Sequence, residues 1–156
     1  MVKKEYQLKV KDEKHCAKAV IKNRRVSTKY AVEIANVIKG KPAGKALAFL
    51  ERVAEKKEYL PLRKYNKKVA HRKGRAVDGC KAGRYPVKAC NAFIELLNYA
   101  VANAENKGLD TEKLIVRHAF ASQGFRRLSH QSKGRIAGKR RERKGTHIEV
   151  ILQEAK

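Results

Sequence analysis

Apolar positions recur at helical spacing in three stretches of the chain. In residues 27–40, Ala31, Ile34 and Ile38 share a face, with Ser27 placed as an N-cap and Gly40 as a stop. A second stretch, from near Pro42 to about Lys57, aligns Ala46, Leu50 and Val53, with Leu47 and Ala54 beside them. The third is the longest. Pro86 suits a first helical position, and Val87, Cys90, Ile94, Leu97, Val101 and Ala104 repeat along one stripe until Gly108. Elsewhere the period drops to two, as a half-buried strand requires. Leu114, Val116, His118 and Phe120 alternate with Ile115, Arg117, Ala119 and Ala121, and Ile148, Val150 and Leu152 alternate with His147, Glu149 and Ile151. Near the start, Tyr6, Leu8 and Val10 alternate with Gln7 and Lys9. Three helices and three strands in segregated order predict an α+β fold, the helices packed on one face of a small antiparallel three-stranded sheet.

Between the last two strand patterns lies RRLSHQSKGRIAGKRRERKG, residues 126–145, with nine Lys/Arg against Glu142. The two flanking strands are natural antiparallel neighbours, so this stretch is the distal part of a hairpin. Ten residues per arm would reach roughly 33 Å at about 3.3 Å each. Its few apolar residues, Leu128 and Ile136, give it little to bury, and it is expected to be mobile alone and ordered against a polyanion. At 156 residues the chain is expected to be one domain, with a body at about 1–125 and 146–156 and the basic hairpin at about 126–145.

Charge sharpens this picture. The net charge is +24, and it is concentrated: residues 1–25 carry +6, residues 59–88 carry +9 and residues 126–145 carry +8. The segments with clean periodicity are near neutral, so a folded body presents cationic extensions, the footprint of a polyanion-binding protein. The middle segment interleaves Tyr65, His71 and Tyr85 with Lys64, Lys67, Lys68, Arg72, Lys73, Arg75 and Arg84. Cations neutralise phosphates, and planar rings stack on unpaired bases, which looped RNA offers and duplex DNA does not. An acidic membrane is disfavoured: the N-terminus lacks an apolar signal segment, and no apolar run approaches the roughly 18 residues of a transmembrane helix. An intracellular protein without direct membrane insertion is expected.

Catalytic chemistry finds weak support. GKPAGKA (residues 40–46) misses the phosphate-binding loop by one residue of spacing and has Ala46 where a hydroxyl must hold magnesium, so it reads as a joint between helices. Cys16, Cys80 and Cys90 form no close pair; a zinc set of Cys80, Cys90 and His71 is conceivable, but reduced thiols are the plainer reading, and neither metal nor cofactor is expected. His118 and His147 fall in paired strands and would serve an RNA-processing enzyme if they faced each other. A DNA-packing protein shares the charge but not the reason for aromatic residues in a basic loop.

Several motifs resemble one family across nearly the whole chain. VSTKYAVEIANVIKGK (26–41), KALAFLERV (45–53), AGRYPVKA (82–89), ANAENKGLD (102–110), KGR (133–135) and THIEVIL (146–152) occur in the expected order. They resemble the large-subunit ribosomal protein family numbered twenty-two in bacteria and seventeen in eukaryotes, and the long middle loop resembles its archaeal and eukaryotic branch. The resemblance implies a non-enzymatic, structural constituent of the cytoplasmic large subunit. It also implies three helices on a small sheet, binding to large-subunit rRNA during assembly, neighbouring ribosomal proteins, and a hairpin lining the nascent-polypeptide exit tunnel. Lys133, Gly134 and Arg135 then fall at the hairpin tip. The expected RNA contacts are Arg126, Arg127, His130, Lys133, Arg135, Lys139, Arg140, Arg141, Arg143 and Lys144 on the hairpin, the middle-loop residues named above, and Lys22, Arg24, Arg25 and Lys29 near the N-terminus.

Overall fold

The computed structural model describes residues 6–10, 13–74, 76–77 and 79–155. Its elements run β1 (Cys16–Arg24), α1 (Thr28–Ile38), α2 (Ala43–Ala54), β2 (Leu60–Pro61), β3 (Gly83–Arg84), α3 (Val87–Glu105), β4 (Leu114–His130) and β5 (Arg140–Glu154). The strand order β1-β5-β4 is antiparallel throughout, and β2 pairs with β3 as a separate short ladder. The expected α+β architecture is therefore present, with the helices on one sheet face.

That face is assembled from cross-strand sets. Ala17 lies opposite Leu152, Ala19 opposite Val150 and Ile21 opposite Ile148. On the other side of β5, Val116 meets Leu152, Ala119 meets Val150 and Ala121 meets Ile148. The alanines on β1 let α3 approach closely, and Phe93, Leu97, Ala100 and Ala104 fill the space over the sheet. Ile34, Ile38, Leu50 and Leu96 complete a continuous apolar interior. Burying each such side chain is worth roughly 1.5–3 kcal/mol, so the body needs no RNA to have a core.

Three expectations require correction. The edge strand is Cys16–Arg24, not the alternating segment around Tyr6, Leu8 and Val10, which has no strand structure. That segment instead crosses the outer sheet face: the Gln7 N–H donates to Glu149 Oε1 at 3.0 Å, and the same oxygen lies 3.1 Å from His118 Nε2. Burial, helped by the Glu149 carboxylate, holds the Tyr6 hydroxyl above its usual range. Second, the alternation of β4 changes phase. A bulge between Val116 and His118 gives Ala119 and Ala121 to the helix side and turns His118 and Phe120 outward. Third, the stripe on α3 is centred on Cys90, Phe93, Leu97, Ala100 and Ala104, and leaves Ile94 and Val101 half-buried.

GKPAGKA is a joint between helices. The Gly40 N–H donates to Val116 O at 2.8 Å, and the Val116 N–H donates to Lys41 O at 2.9 Å. Helix α1 thus ends by pairing with the free edge of β4, which blunts that edge against other chains.

Candidate nucleic-acid interface

Beyond the body, β4 and β5 continue as a two-stranded ribbon. Pairing resumes at Arg126↔Lys144 and runs through Arg127↔Arg143, Leu128↔Glu142 and Ser129↔Arg141 to His130↔Arg140. The Gln131 N–H donates to Lys139 O at 3.0 Å and closes a tip in which Gly134 and Gly138 take positive φ of 84° and 79°. At about 3.3 Å per residue, the 17 residues of β4 extend on the order of 50 Å. Arg127 faces Arg143, and Arg126 faces Lys144, directly across the ladder. Like charges in such positions repel, and a polyanion alongside would relieve them. Glu142 lies 3.9 Å from both Arg126 and Lys144 and relieves part of that strain at the root.

Where ribbon meets body, residues far apart in sequence converge. Asn23, at φ 56°, places its Oδ1 2.8 Å from the Phe125 N–H, while its own N–H donates to His147 Nδ1 at 3.1 Å. A side chain on Gly124 or Gly145 would come within 2.5 Å or 2.7 Å of that same Oδ1 and push it off the Phe125 N–H. Thr146 fastens the other side: its hydroxyl donates to Val26 O at 2.8 Å and lies 2.9 Å from Thr28 Oγ1, binding the start of α1 to β5. Asn23→Ala is expected to cost about 2 kcal/mol, from the lost bond and a left-handed backbone without its favoured residue. Asn23→Gly keeps the backbone and should cost about 1 kcal/mol. Urea melts of both variants check the order.

Between these fastenings opens a cleft lined by Arg25, Val26, Ser27, Thr28, Lys29, Tyr65, Gln123, Glu142, Arg143 and Lys144. It draws residues from each of the three basic segments. Ser27 has the N-cap position, but its hydroxyl makes no capping bond and no acid stands in the first turn, so the positive end of α1 borders the cleft uncompensated. Lys29 and Lys64 hold their ammonium groups 5.7 Å and 5.8 Å from the centre of the Tyr65 ring, within cation–π range.

The middle loop is held in place by a residue that charge and aromatic spacing did not single out. Glu33, buried on α1, accepts from the N–H groups of Arg63 (3.2 Å), Lys64 (2.8 Å) and Tyr65 (2.7 Å). The sequence signal was an acid on the same helical face as Tyr30 and Val37. At the loop's far side, the Tyr59 hydroxyl donates to Cys80 O at 2.8 Å and accepts from the Val77 N–H at 3.2 Å. Arg72 Nε donates to Gly83 O at 3.0 Å with its guanidinium 5.2 Å from the Tyr85 ring, and Arg84 donates to Gly83 O and Ala70 O.

Other expected residues are distributed around this centre. Lys22 and Arg25 border a second groove with Lys88 and Asn91, and Tyr85 a third with Arg25 and Lys88. Arg24 is engaged with Glu95 of α3 at 2.6 Å. Lys67, Lys68, His71 and Lys73 stand exposed on the loop, and Lys133, Arg135, Lys139, Arg140 and Arg141 stand exposed along the ribbon beyond the cleft. His130 Nδ1 is 3.4 Å from Gly138 O. Arg75 lies outside the described residues.

The catalytic alternatives lose their geometry. His118 pairs in register with Ile151 and His147 with Ser122, so the two do not face each other; one is tied to Glu149 and the other to Asn23. Burial pushes the Cys90 thiol up to about 12, and the Cys80 thiol donates towards Leu62 O and Ala82 O. Among the described residues no three His, Cys, Asp or Glu are grouped to hold a metal, and no helix is long and apolar enough to cross a membrane.

Sequence similarity to curated relatives runs along nearly their whole length. The chain is 43% identical over 145 residues to the large ribosomal subunit protein uL22 of Methanopyrus kandleri, covering 92% of this chain and 89% of that protein. It is 42% identical over 156 residues to uL22 of Methanocaldococcus jannaschii, covering 99% and 97%, and 40% identical over 152 residues to uL22 of Aeropyrum pernix, covering 96% of each. Residues 19–153, which span both the ribbon and the cleft at its root, match the family described as ribosomal protein L22p/L17e, and the chain belongs to that family.

Proposed function

We propose that the chain is a structural constituent of the large ribosomal subunit that binds large-subunit rRNA through the cleft and ribbon and helps it to fold. The hairpin lines the nascent-polypeptide exit tunnel in the cytoplasmic ribosome, with neighbouring ribosomal proteins around the body and the emerging polypeptide as a further partner. The observation that carries this reading is the convergence on one cleft of Arg25, Tyr65, Arg143 and Lys144, from three separate basic segments, together with Lys29 of α1. A folded body gains nothing by gathering repelling charges. An RNA backbone following that cleft neutralises them together and releases counterions. The ribbon's like-charged pairs extend the same logic outward: two strands are thin enough to thread between phosphates, and contacts of this kind position a protein on RNA shape more than they read sequence.

The test is binding to a large-subunit rRNA transcript across a salt series, with duplex DNA as competitor. The wild-type chain should prefer the transcript, and Arg25→Gln and Lys144→Gln should each flatten the salt dependence by about 0.9, one phosphate's share. Equal affinity for duplex DNA, or unchanged slopes, refutes the RNA reading. A photocrosslinker at Ile136 in assembled ribosomes should capture emerging polypeptide; capture of rRNA alone refutes the tunnel assignment.

A further inference from the structure

A second, smaller cleft adjoins the first, lined by Asn23, Arg25, Phe125, Arg127, Arg143, Lys144 and Gly145. It carries one uncharged ring among four cations, and that ring is 63% exposed. An aromatic side chain in such a place contributes nothing to the core, yet its position is strongly determined. Gln123 pairs with Thr146 and Arg126 with Lys144, so Gly124 and Phe125 together oppose the single residue Gly145. This is a bulge, a device that redirects a side chain out of the ladder. Asn23 fixes it by accepting the Phe125 N–H, and a side chain at Gly124 or Gly145 would crowd the same Asn23 oxygen. The volume, about 120 Å³, is well below the roughly 300 Å³ where ordinary ligand clefts begin, and suits one planar group.

From this arrangement we infer that Phe125 is a stacking platform for a single unpaired RNA base. Its flanking phosphates lie against Arg25, Arg127, Arg143 and Lys144. This deepens the RNA-binding reading and rests on it. A paired base has both faces covered within its helix, so the site selects a nucleotide flipped from a loop, bulge or junction. Stacking tolerates any base, because every base has a π-face; the recognition is for an unpaired state, not a letter.

The chain contains no tryptophan, which makes a direct readout possible. Phe125→Trp keeps a stacking ring at an exposed position and introduces the one indole. On titration with a large-subunit rRNA transcript, its emission should be quenched in step with binding, while a fully paired RNA duplex of equal length should leave it unquenched at saturation. Phe125→Ala should weaken binding to the transcript about tenfold and leave the salt slope at the wild-type value, because no phosphate contact is lost. Matching far-ultraviolet circular dichroism and melting curves verify that both variants fold. If the transcript binds Phe125→Trp with the wild-type slope yet the indole stays bright, or if the duplex quenches it equally, the stacking site is refuted while the RNA-binding function stands. If Phe125→Ala binds as well as wild type, the ring's occupant is not a base. Loss of RNA preference by the wild-type chain would instead defeat the parent reading.

Discussion

Replacing Glu33 with alanine is expected to destabilise the protein by about 3 kcal/mol, with a fall in melting temperature of about 6–12 °C. Its carboxylate receives three consecutive loop N–H groups from a buried position on α1. Hydrogen bonds to a charged acceptor are worth about 1.5–3 kcal/mol each, but the freed donors recover part of this by reaching water as the loop lifts away. The consequence is local as well as global. Arg63, Lys64 and Tyr65 should lose amide-exchange protection before the sheet does, and Tyr65 should leave the cleft it lines. Glu33→Gln retains an acceptor of the same shape and should cost about half as much, since its amide group adds a donor facing donors. Thermal melts and hydrogen exchange of the two variants check this; a loss below about 1 kcal/mol for Glu33→Ala would show that the loop is held chiefly from its other end, by Tyr59.

Changing Lys139, Arg140, Arg141 and Arg143 together to glutamine should have opposite effects on binding and on the free hairpin. On the proposed reading, four phosphate contacts disappear. The salt slope should flatten by up to about 3.6, and affinity for the rRNA transcript at near-physiological salt should fall on the order of a thousandfold. The unbound ribbon should become better ordered, because Arg143 no longer opposes Arg127. The core is untouched: all four side chains are exposed and outside the body. Filter binding across a salt series reads the first effect, and amide exchange in the free hairpin reads the second. Wild-type affinity in the quadruple variant would mean that these four cations face away from RNA.

What the amino-acid pattern revealed, and what it hid, divides along the range of the interactions involved. The helices follow from residues three and four apart: Ala31, Ile34 and Ile38 share a face whatever the rest of the chain does. The hairpin was likewise legible, since both arms are close in sequence and differ sharply in charge from the body. β1 was obscured because its core-facing residues, Ala17 and Ala19, are small. They became informative once α3, some 80 positions later, is known to pack on them. The phase change in β4 had no local signal either; Arg117 reads as an ordinary outward residue, and the bulge is set by the register against β5.

The cleft shows the same division. Its cations were apparent from charge concentration alone, and Arg25, Lys29, Tyr65, Arg143 and Lys144 were all expected to bind RNA. Their meeting in one place was not legible, because it depends on Asn23, Thr146 and Glu33. Each of those is polar and unremarkable by composition, and each acts on a partner that folding brings from far along the chain. Phe125 was passed over for a related reason. It stands past the alternating pattern that ends at Ala121, and only the bulge, set by the register against β5, gives it a defined direction.

The position of β5 at the centre of the sheet has a consequence for synthesis. Its neighbours β1 and β4 are both made earlier, and they share no ladder with each other. During translation Cys16 must wait for Gln153, and Ile21 for Ile148, before either acquires its cross-strand partner. A nascent copy therefore carries its helices over an unclosed sheet until β5 has been released. Any truncation that removes residues 146–154 should leave β1 and the body half of β4 without a mate and yield a chain for degradation, not a smaller folded protein.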